Sequence, residues 1–154
     1  MRSKKAKKRI TTPDPLYKSR VVARFINIVM LDGEKSTAEK VVYGALEKLA
    51  EDRKEGLAMF EEAVKVVMPK QEVRSRRIGG ATYQVPMPVK HTRAEALALR
   101  WIVRSARTKH GKPMEEKLYV EIKNAYEGIG DSVKKRDDTH KMAEANRAFA
   151  HFRF

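Results

Sequence analysis

The sequence predicts a mainly α-helical protein: a compact bundle of about six helices with one protruding β-hairpin and a basic, disordered N-terminal arm. Apolar residues recur every three or four positions along most of the chain, which is the period of one helix face. The exception surrounds Gly79 and Gly80, where two extended runs meet. The chain also begins with six bases and no acid among its first nine residues. We therefore expect an arm over residues 1–12 and a single helical domain over 13–154, with the hairpin inserted at about 72–89.

Two helices are predicted to begin with a capping box, in which a Ser or Thr and a Glu three residues later satisfy free backbone amides. Ser36 and Glu39 have this spacing ahead of the second helix. Thr92 and Glu95 repeat it ahead of the helix that follows the hairpin. Trp101 falls on the apolar face of that helix, so we expect it to pack in the core rather than to stack on a nucleic-acid base.

The remaining helices are bounded by glycine, proline and polar turns. They are predicted over about 19–31, about 56–67, from Pro113 to the turn at 128–130, and over about 131–150. The helix that starts at Pro113 is expected to turn Tyr126 inward with its other apolar residues. The last helix is strongly polar and ends in an aromatic tail.

The hairpin register follows from its turn. Gly79 and Gly80 tolerate the positive φ angles of a two-residue primed turn. The expected facing pairs are Ile78 with Ala81, Arg76 with Tyr83, and Arg74 with Val85. Arginine then projects from both faces, so we expect the ribbon to stand away from the body and to be ordered by a partner. Tyr83 either stacks on a base or packs on the stem of Arg76.

The charge composition favours an anionic partner. The chain has 34 Lys and Arg against 20 Asp and Glu, a net charge of +14 and a pI near 10.1. Residues 34–62 are the exception, with a net charge of −3, and should face away from phosphate. The candidate phosphate contacts are Arg2, Lys4, Lys5, Lys7, Lys8 and Arg9 in the arm, Arg74, Arg76 and Arg77 in the hairpin, and Arg93, Arg100, Arg104 and Arg107 along one helix face. That last row is equally compatible with an ordinary solvated helix face.

Other classes of function receive little support. The chain has no cysteine for a disulfide, a thiol nucleophile or a thiolate metal site. Its four histidines lack metal-ligand spacing and no phosphate loop or nucleophile motif occurs, so we expect no enzyme, no cofactor and no metal. Asp137 and His140 are interpreted as a surface pair. The longest apolar stretch, 25–31, is too short to span a bilayer, so no membrane partner is expected and the predicted location is the cytoplasm.

Three long motifs resemble small-subunit ribosomal protein seven of the bacterial type. They are the hairpin string Val73-Arg-Ser-Arg-Arg-Ile-Gly-Gly-Ala-Thr-Tyr-Gln-Val-Pro86, the block Ala96-Leu-Ala-Leu-Arg-Trp-Ile-Val103 and the ending from Lys134 to Phe154. They occur in the family's order and span nearly the whole chain. One position departs from the family pattern, because Glu34 stands where a basic residue is usual. Lys35 is therefore expected to make the RNA contact at that corner.

The resemblance implies a structural protein of the small ribosomal subunit that is a monomer outside the ribosome. It implies binding to the 3′ major domain of small-subunit ribosomal RNA and nucleation of head assembly. In some members it also implies repression of translation of the protein's own operon. Besides the candidate phosphate contacts given above, the implied RNA contacts are Lys35, Lys109, Lys112 and Met114.

The resemblance also implies two further contact regions. The residues implied to lie near exit-site transfer RNA and messenger RNA are Arg77, Ile78, Gly79, Gly80, Ala81, Thr82, Tyr83 and Arg147. The residues implied to face a neighbouring ribosomal protein, especially number eleven, are Phe149, His151, Phe152 and Phe154.

Two other interpretations remain open. An architectural DNA-binding protein also uses basic β-ribbon arms, with an apolar or proline wedge near the tip. Here Pro86 and Pro88 lie at the base of the hairpin instead. A helical scaffold without nucleic acid would dock its aromatic tail on a protein partner, and this contact is compatible with RNA binding.

Overall fold

The computed structural model describes residues 9–152, and it confirms the predicted fold class for that part of the chain. Residues 1–8 of the predicted arm and Phe154 of the predicted tail lie outside the described residues. The helices are α1 Arg20–Val29, α2 Lys35–Glu47, α3 Arg53–Val67, α4 His91–Thr108, α5 Met114–Tyr126 and α6 Asp131–Ala145. The strands are β1 Gln71–Ile78 and β2 Ala81–Pro88, and a 3₁₀-helix spans Arg147–Phe152.

One hydrophobic core lies between the helices, with α5 packed against α2, α3 and α4. Phe25 of α1 and Phe60 of α3 are fully buried, and their ring centroids are 4.9 Å apart. Leu118 and Ile122 of α5 are also fully buried. Burying side chains of this size stabilises a fold by about 1.5–3 kcal/mol each, so α5 contributes strongly to holding the bundle together.

Both predicted capping boxes are wrong. Helix α2 begins before Ser36, because the positive φ angles of Asp32 (51°) and Gly33 (84°) turn the chain directly into its first residue. Helix α4 begins before Thr92, and no side chain caps it. Its Glu95 is buried and binds Arg24 of α1 instead, at 2.7 Å, because a buried carboxylate requires a cationic partner.

Two expectations about aromatic residues have different outcomes. Trp101 is partly buried and packs against the core, as predicted. The prediction that Tyr126 turns inward is wrong, because this residue is 45% exposed. It is the last residue of α5, and Ala125 takes the buried position beside it.

The hairpin has the predicted register, including all three predicted facing pairs. Gly79 (φ 57°) and Gly80 (φ 88°) both adopt the positive φ angles that its two-residue turn requires. The expectation that the ribbon stands away from the body is wrong for its root. Val85 is buried there and both strands pack on α6, because an apolar residue on one face gives the root a surface to bury.

The segment before α1 is fixed by a buried acid. Asp14 is 4% exposed, and its carboxylate accepts hydrogen bonds from the backbone N–H groups of Leu16 (3.0 Å) and Tyr17 (2.9 Å). The hydroxyl of Tyr43 in α2 donates to the same carboxylate at 2.7 Å. Burial and this hydrogen bond raise the pKa of Tyr43, so the phenol keeps its proton to a higher pH than an exposed tyrosine does. The chain that follows the arm is therefore anchored to the bundle.

Candidate nucleic-acid interface

Arginines from three segments line one surface groove of about 630 Å³. Helices α1 and α4 pack side by side and form its walls, together with the segment before α1. The five arginines in its lining are Arg9, Arg20, Arg24, Arg93 and Arg100. A groove with this composition concentrates positive potential and attracts a polyanion.

The arginine row of α4 continues beyond this groove. Arg100 and Arg104 line a neighbouring groove of about 430 Å³ with Arg107 and Trp101. Arg100 Nε donates to the main-chain carbonyl of Ala96 at 3.0 Å, and Arg107 Nη2 donates to that of Val29 at 3.1 Å. Carbonyl acceptors orient these guanidinium groups without neutralising them, so their charge stays available to a ligand.

The hairpin adds arginines from a different direction. Arg74 and Arg77 are exposed, and Arg76 is partly buried. At the root, the buried Glu72 binds both Arg74 and Arg93 at 2.7 Å, which joins β1 to the start of α4. The hairpin and the arginine row of α4 are therefore parts of one connected basic surface.

The hairpin also contacts the C-terminal 3₁₀-helix. The ring centroid of Tyr83 lies 5.3 Å from that of Phe149 and 5.2 Å from that of Phe152. Neither expectation for Tyr83 included this contact, which arises because the chain returns after α6 to the outer part of β2. Phe149 and Phe152 thus pack within the chain, and His151 lies beside Phe152 with ring centroids 4.0 Å apart.

The turn of the hairpin leaves a small exposed surface. Ile78 is 37% exposed, and Gly79, Gly80, Ala81 and Thr82 are exposed with it. Arg147 is also exposed and lies 3.3 Å from Glu144. These residues form the free end of the hairpin and its flank, and no side chain there is buried.

Several implied RNA contacts lie in ion pairs of their own. Lys109 Nζ binds the fully buried carboxylate of Glu121, which also accepts hydrogen bonds from the N–H and hydroxyl groups of Ser132 at 2.9 and 2.7 Å. Lys35 lies 3.6 Å from Glu39, and Lys112 lies 3.7 Å from Glu116. Met114 is partly buried and packs against the core. None of these four residues lines the grooves along α4.

Two residues of the main groove, Arg20 and Arg24, are not among the contacts predicted from the sequence. Their signal was present, because they are four residues apart and therefore lie on one face of the first helix. Lys135 of α6 was also absent from the candidate contacts, although it lines a third groove of about 290 Å³ with Trp101 and Arg104. Its signal was the basic run that begins at Lys134.

The acids of residues 34–62 lie apart from these grooves. None of them is in the lining of the grooves along α4. Lys65 Nζ pairs with Glu62 at 3.1 Å, and Lys48 Nζ pairs with Glu115 at 2.8 Å. Lys48 and Glu62 of this region thus pair with partly or fully exposed partners, whereas the groove along α1 and α4 is lined by five arginines.

The part of the chain that the structure describes shows no sign of a membrane-spanning helix or a metal site. Between residues 9 and 152, no helix is both long and apolar enough to cross a membrane, and no three His, Asp or Glu residues are grouped as metal ligands. Asp137 and His140 do not pair with each other. Arg136 binds Asp137 at 2.6 Å, and His140 Nε2 accepts a hydrogen bond from the Lys70 N–H at 3.0 Å.

Comparison with known proteins identifies close relatives. A model of the family described as ribosomal protein S7p/S5e matches residues 1–147. A protein named small ribosomal subunit protein uS7 from Fervidobacterium nodosum is 54% identical over 155 residues, which covers 100% of each chain. Proteins of the same name are 56% identical in Aliivibrio salmonicida, over 92% of each chain, and 50% identical in Pelagibacter ubique, over 99% of each.

The breadth of these matches decides the family. The family model covers nearly the entire chain, and the relatives align with it almost end to end. The resemblance seen in three sequence motifs is therefore confirmed. The chain belongs to the ribosomal protein S7p/S5e family and is a structural protein of the small ribosomal subunit.

Proposed function

We propose that this protein binds the 3′ major domain of small-subunit ribosomal RNA and nucleates assembly of the head of the subunit. One observation carries the proposal: the groove lined by five arginines between α1, α4 and the segment before α1. Family membership supplies the ribosomal context in which the anionic ligand is ribosomal RNA. The wider contact set is the candidate and implied RNA contacts from the sequence, to which we add Arg20, Arg24 and Lys135.

The mechanism follows from charge and shape. A junction of RNA helices brings phosphates close together, and fixed cations between them offset the repulsion while condensed counterions are released. Arginine suits this position because its planar fork binds phosphate oxygens and stacks on unpaired bases. The narrow major groove of A-form RNA admits few side chains, so specificity comes from shape and from single-stranded junctions.

The free end of the hairpin serves a second RNA contact in this proposal. Residues 77–83 and Arg147 lie near exit-site transfer RNA and messenger RNA. The exposed turn at Gly79 and Gly80 supports this role, because a surface without bulky side chains allows an RNA backbone to approach closely.

The C-terminal residues serve a protein contact. We place Phe149, His151, Phe152 and Phe154 beside a neighbouring ribosomal protein, with number eleven as the first candidate. Outside the ribosome the protein is a monomer, and its working location is the ribosome in the cytoplasm. Repression of its own operon would use the same basic surface, so competition between messenger RNA from that operon and the ribosomal RNA fragment tests that role.

The deciding experiment is a salt-titrated binding comparison. The ligands are a 3′ major domain fragment, an unrelated structured RNA and duplex DNA. Preference for the ribosomal fragment that persists at high salt supports the proposal. Equal and salt-sensitive binding to all three favours the architectural DNA-binding interpretation, and binding to none favours the protein-docking scaffold.

A pair of charge-matched variants tests whether the groove binds the RNA fragment. Replacing Arg20 and Arg100 with Gln removes two groove cations, and replacing Lys40 and Lys54 with Gln removes two exposed cations from the acidic region. We expect the first variant to bind the fragment more weakly, with a salt slope smaller by about one unit per lost phosphate contact. Equal losses in both variants would contradict a role for the groove.

A further inference from the structure

Glu72 is a buried acid at the root of the hairpin, inside the surface that we propose to bind RNA. It lies on β1 opposite Met87 and is 7% exposed. Burying an isolated carboxylate is costly, so such a group requires cationic partners. An acid among these arginines lowers the positive potential that attracts RNA, so its presence there calls for a physical explanation.

Two arginines from different elements bind this carboxylate. From β1, Arg74 Nε and Nη2 each lie 2.7 Å from Glu72 Oε1. From α4, Arg93 Nε donates to Oε1 at 2.8 Å and to Oε2 at 2.7 Å. The carboxylate therefore fixes the hairpin root to the start of α4 and holds two guanidinium groups close together.

The two cations remain accessible although the acid is covered. The side chains of Arg74 and Arg93 are 51% and 46% exposed, against 10% for Glu72. A guanidinium group has five N–H donors, and the bonds to Glu72 occupy only some of them. The arrangement thus presents two oriented guanidinium groups above a buried anion, with a net charge of +1 for the three side chains.

We propose that Glu72 organises Arg74 and Arg93 into a single site for phosphate groups of the RNA backbone, where the hairpin meets α4. This inference rests on the RNA-binding function proposed above. Without the acid, two neighbouring guanidinium groups repel each other and regain their rotameric freedom. Glu72 offsets the repulsion and orders both side chains before the ligand arrives, which lowers the entropic cost of binding. Phosphodiester oxygens complement the exposed donors.

The variant Glu72→Gln distinguishes two roles of Glu72: positioning Arg74 and Arg93, or only weakening the local positive potential. It keeps the size of the side chain and removes one negative charge. If Glu72 only weakens the local positive potential, its loss tightens binding of the 3′ major domain fragment. If Glu72 positions the arginines, binding weakens by about tenfold and the salt slope becomes smaller, because fewer phosphate contacts form. The second result is the one we expect.

A matched control removes the same charge elsewhere. Glu62 is exposed and pairs with Lys65 at 3.1 Å, outside the basic surface. Glu62→Gln should leave the affinity for the RNA fragment unchanged or slightly higher. In a chain that carries Arg74→Ala and Arg93→Ala, Glu72→Gln has no cations left to position, so its weakening effect should disappear.

A second variant covers the possibility that Glu72→Gln unfolds the chain, which circular dichroism and thermal melting of the full-length protein would reveal. Arg93→Lys keeps the charge but loses the planar fork, and we expect several-fold weaker binding with the melting temperature preserved. Unchanged or tighter binding by folded Glu72→Gln, or normal binding by Arg93→Lys, overturns the inference. If the unaltered chain shows no preference for the ribosomal fragment, the proposed function fails first and the inference falls with it.

Discussion

The groove along α1 and α4 differs from the acidic region 34–62 in how its charged side chains are held, although both regions lie over the same core. In the groove region, the acids are buried and hold arginines, as Glu95 does with Arg24 at 2.7 Å. In the acidic region, ion pairs such as Lys65 with Glu62 are exposed, and such pairs contribute about 0–1 kcal/mol. Buried carboxylates thus hold Arg24 and Arg93 of the groove in position, whereas the ion pairs of the acidic region are exposed to solvent.

The largest effect should come from the core that both regions share. Phe60→Ala removes a fully buried ring that contacts Phe25, so we expect the free energy of unfolding to fall by about 3–5 kcal/mol. The salt slope of RNA binding by the folded fraction should stay the same. Denaturant unfolding measures the first quantity. The same substitution at the partly buried Phe149 is the control and should cost clearly less.

The next effect should separate the two regions by function. Arg76→Ala with Arg77→Ala removes two hairpin cations, and we expect the salt slope for the ribosomal RNA fragment to fall by about two units. Lys40→Ala with Lys54→Ala removes the same charge from the acidic region and should leave the slope unchanged. Filter binding over a salt series measures both. A hairpin variant with an unchanged slope would remove these arginines from the interface.

A smaller effect concerns the contact between the hairpin and the C-terminal 3₁₀-helix. Tyr83 and Phe149 have ring centroids 5.3 Å apart, and an aromatic pair of this kind contributes about 0.5–1.5 kcal/mol beyond area burial. A double-mutant cycle of Tyr83→Ala and Phe149→Ala should give a coupling energy of that size. Additive effects of the two substitutions would mean that the rings do not stabilise each other in solution.

The smallest effect should be a pH dependence from His140. Burial, with Arg136 beside it, lowers the pKa of His140 below 6.5, and its Nε2 accepts a hydrogen bond only when the ring is neutral. The unfolded chain then binds a proton at a higher pH than the folded protein. The stabilising contribution is therefore complete above pH 6.5 and is lost as the pH falls from there towards the lower folded pKa.

Thermal melting between pH 7.5 and 5.5 tests whether stability falls with pH in this direction, with His140→Gln as the comparison. Glutamine keeps an acceptor but does not titrate, so its melting temperature should change less over the same range. Carboxylates titrate mainly below this window and contribute little to the difference. An equal pH response in both proteins would exclude His140 as the source.

The features that the sequence predicted correctly are local ones. The hairpin register depends on two adjacent glycines, and both adopt the positive φ angles that the turn requires. The exposed arginine row of α4 depends on the helical period alone. Short-range geometry determines both features, so neither needed knowledge of which elements pack together.

The features that the sequence did not predict depend on contacts between distant residues. Glu95 forms an ion pair with Arg24, which lies 71 positions away in the sequence. Because its carboxylate is used in this pair, Glu95 does not take the role in a capping box that was predicted for it. Arg20 lies in the groove because α1 packs against α4, and this packing cannot be read from the sequence of α1 alone. The contact of Tyr83 with Phe149 likewise depends on where the chain returns after α6. Propensity and periodicity carry no information about these pairings.

The buried Asp14 has a consequence for the basic segment that precedes it. Arg9 lines the groove, and the eight residues before it carry five bases. Asp14 fixes the chain five residues after Arg9, so the sequence that carries these bases joins the bundle at the edge of the groove. In the RNA complex that we propose, binding of this linked basic segment would follow binding at the groove as an intramolecular step, so its contacts would add to those of the groove arginines.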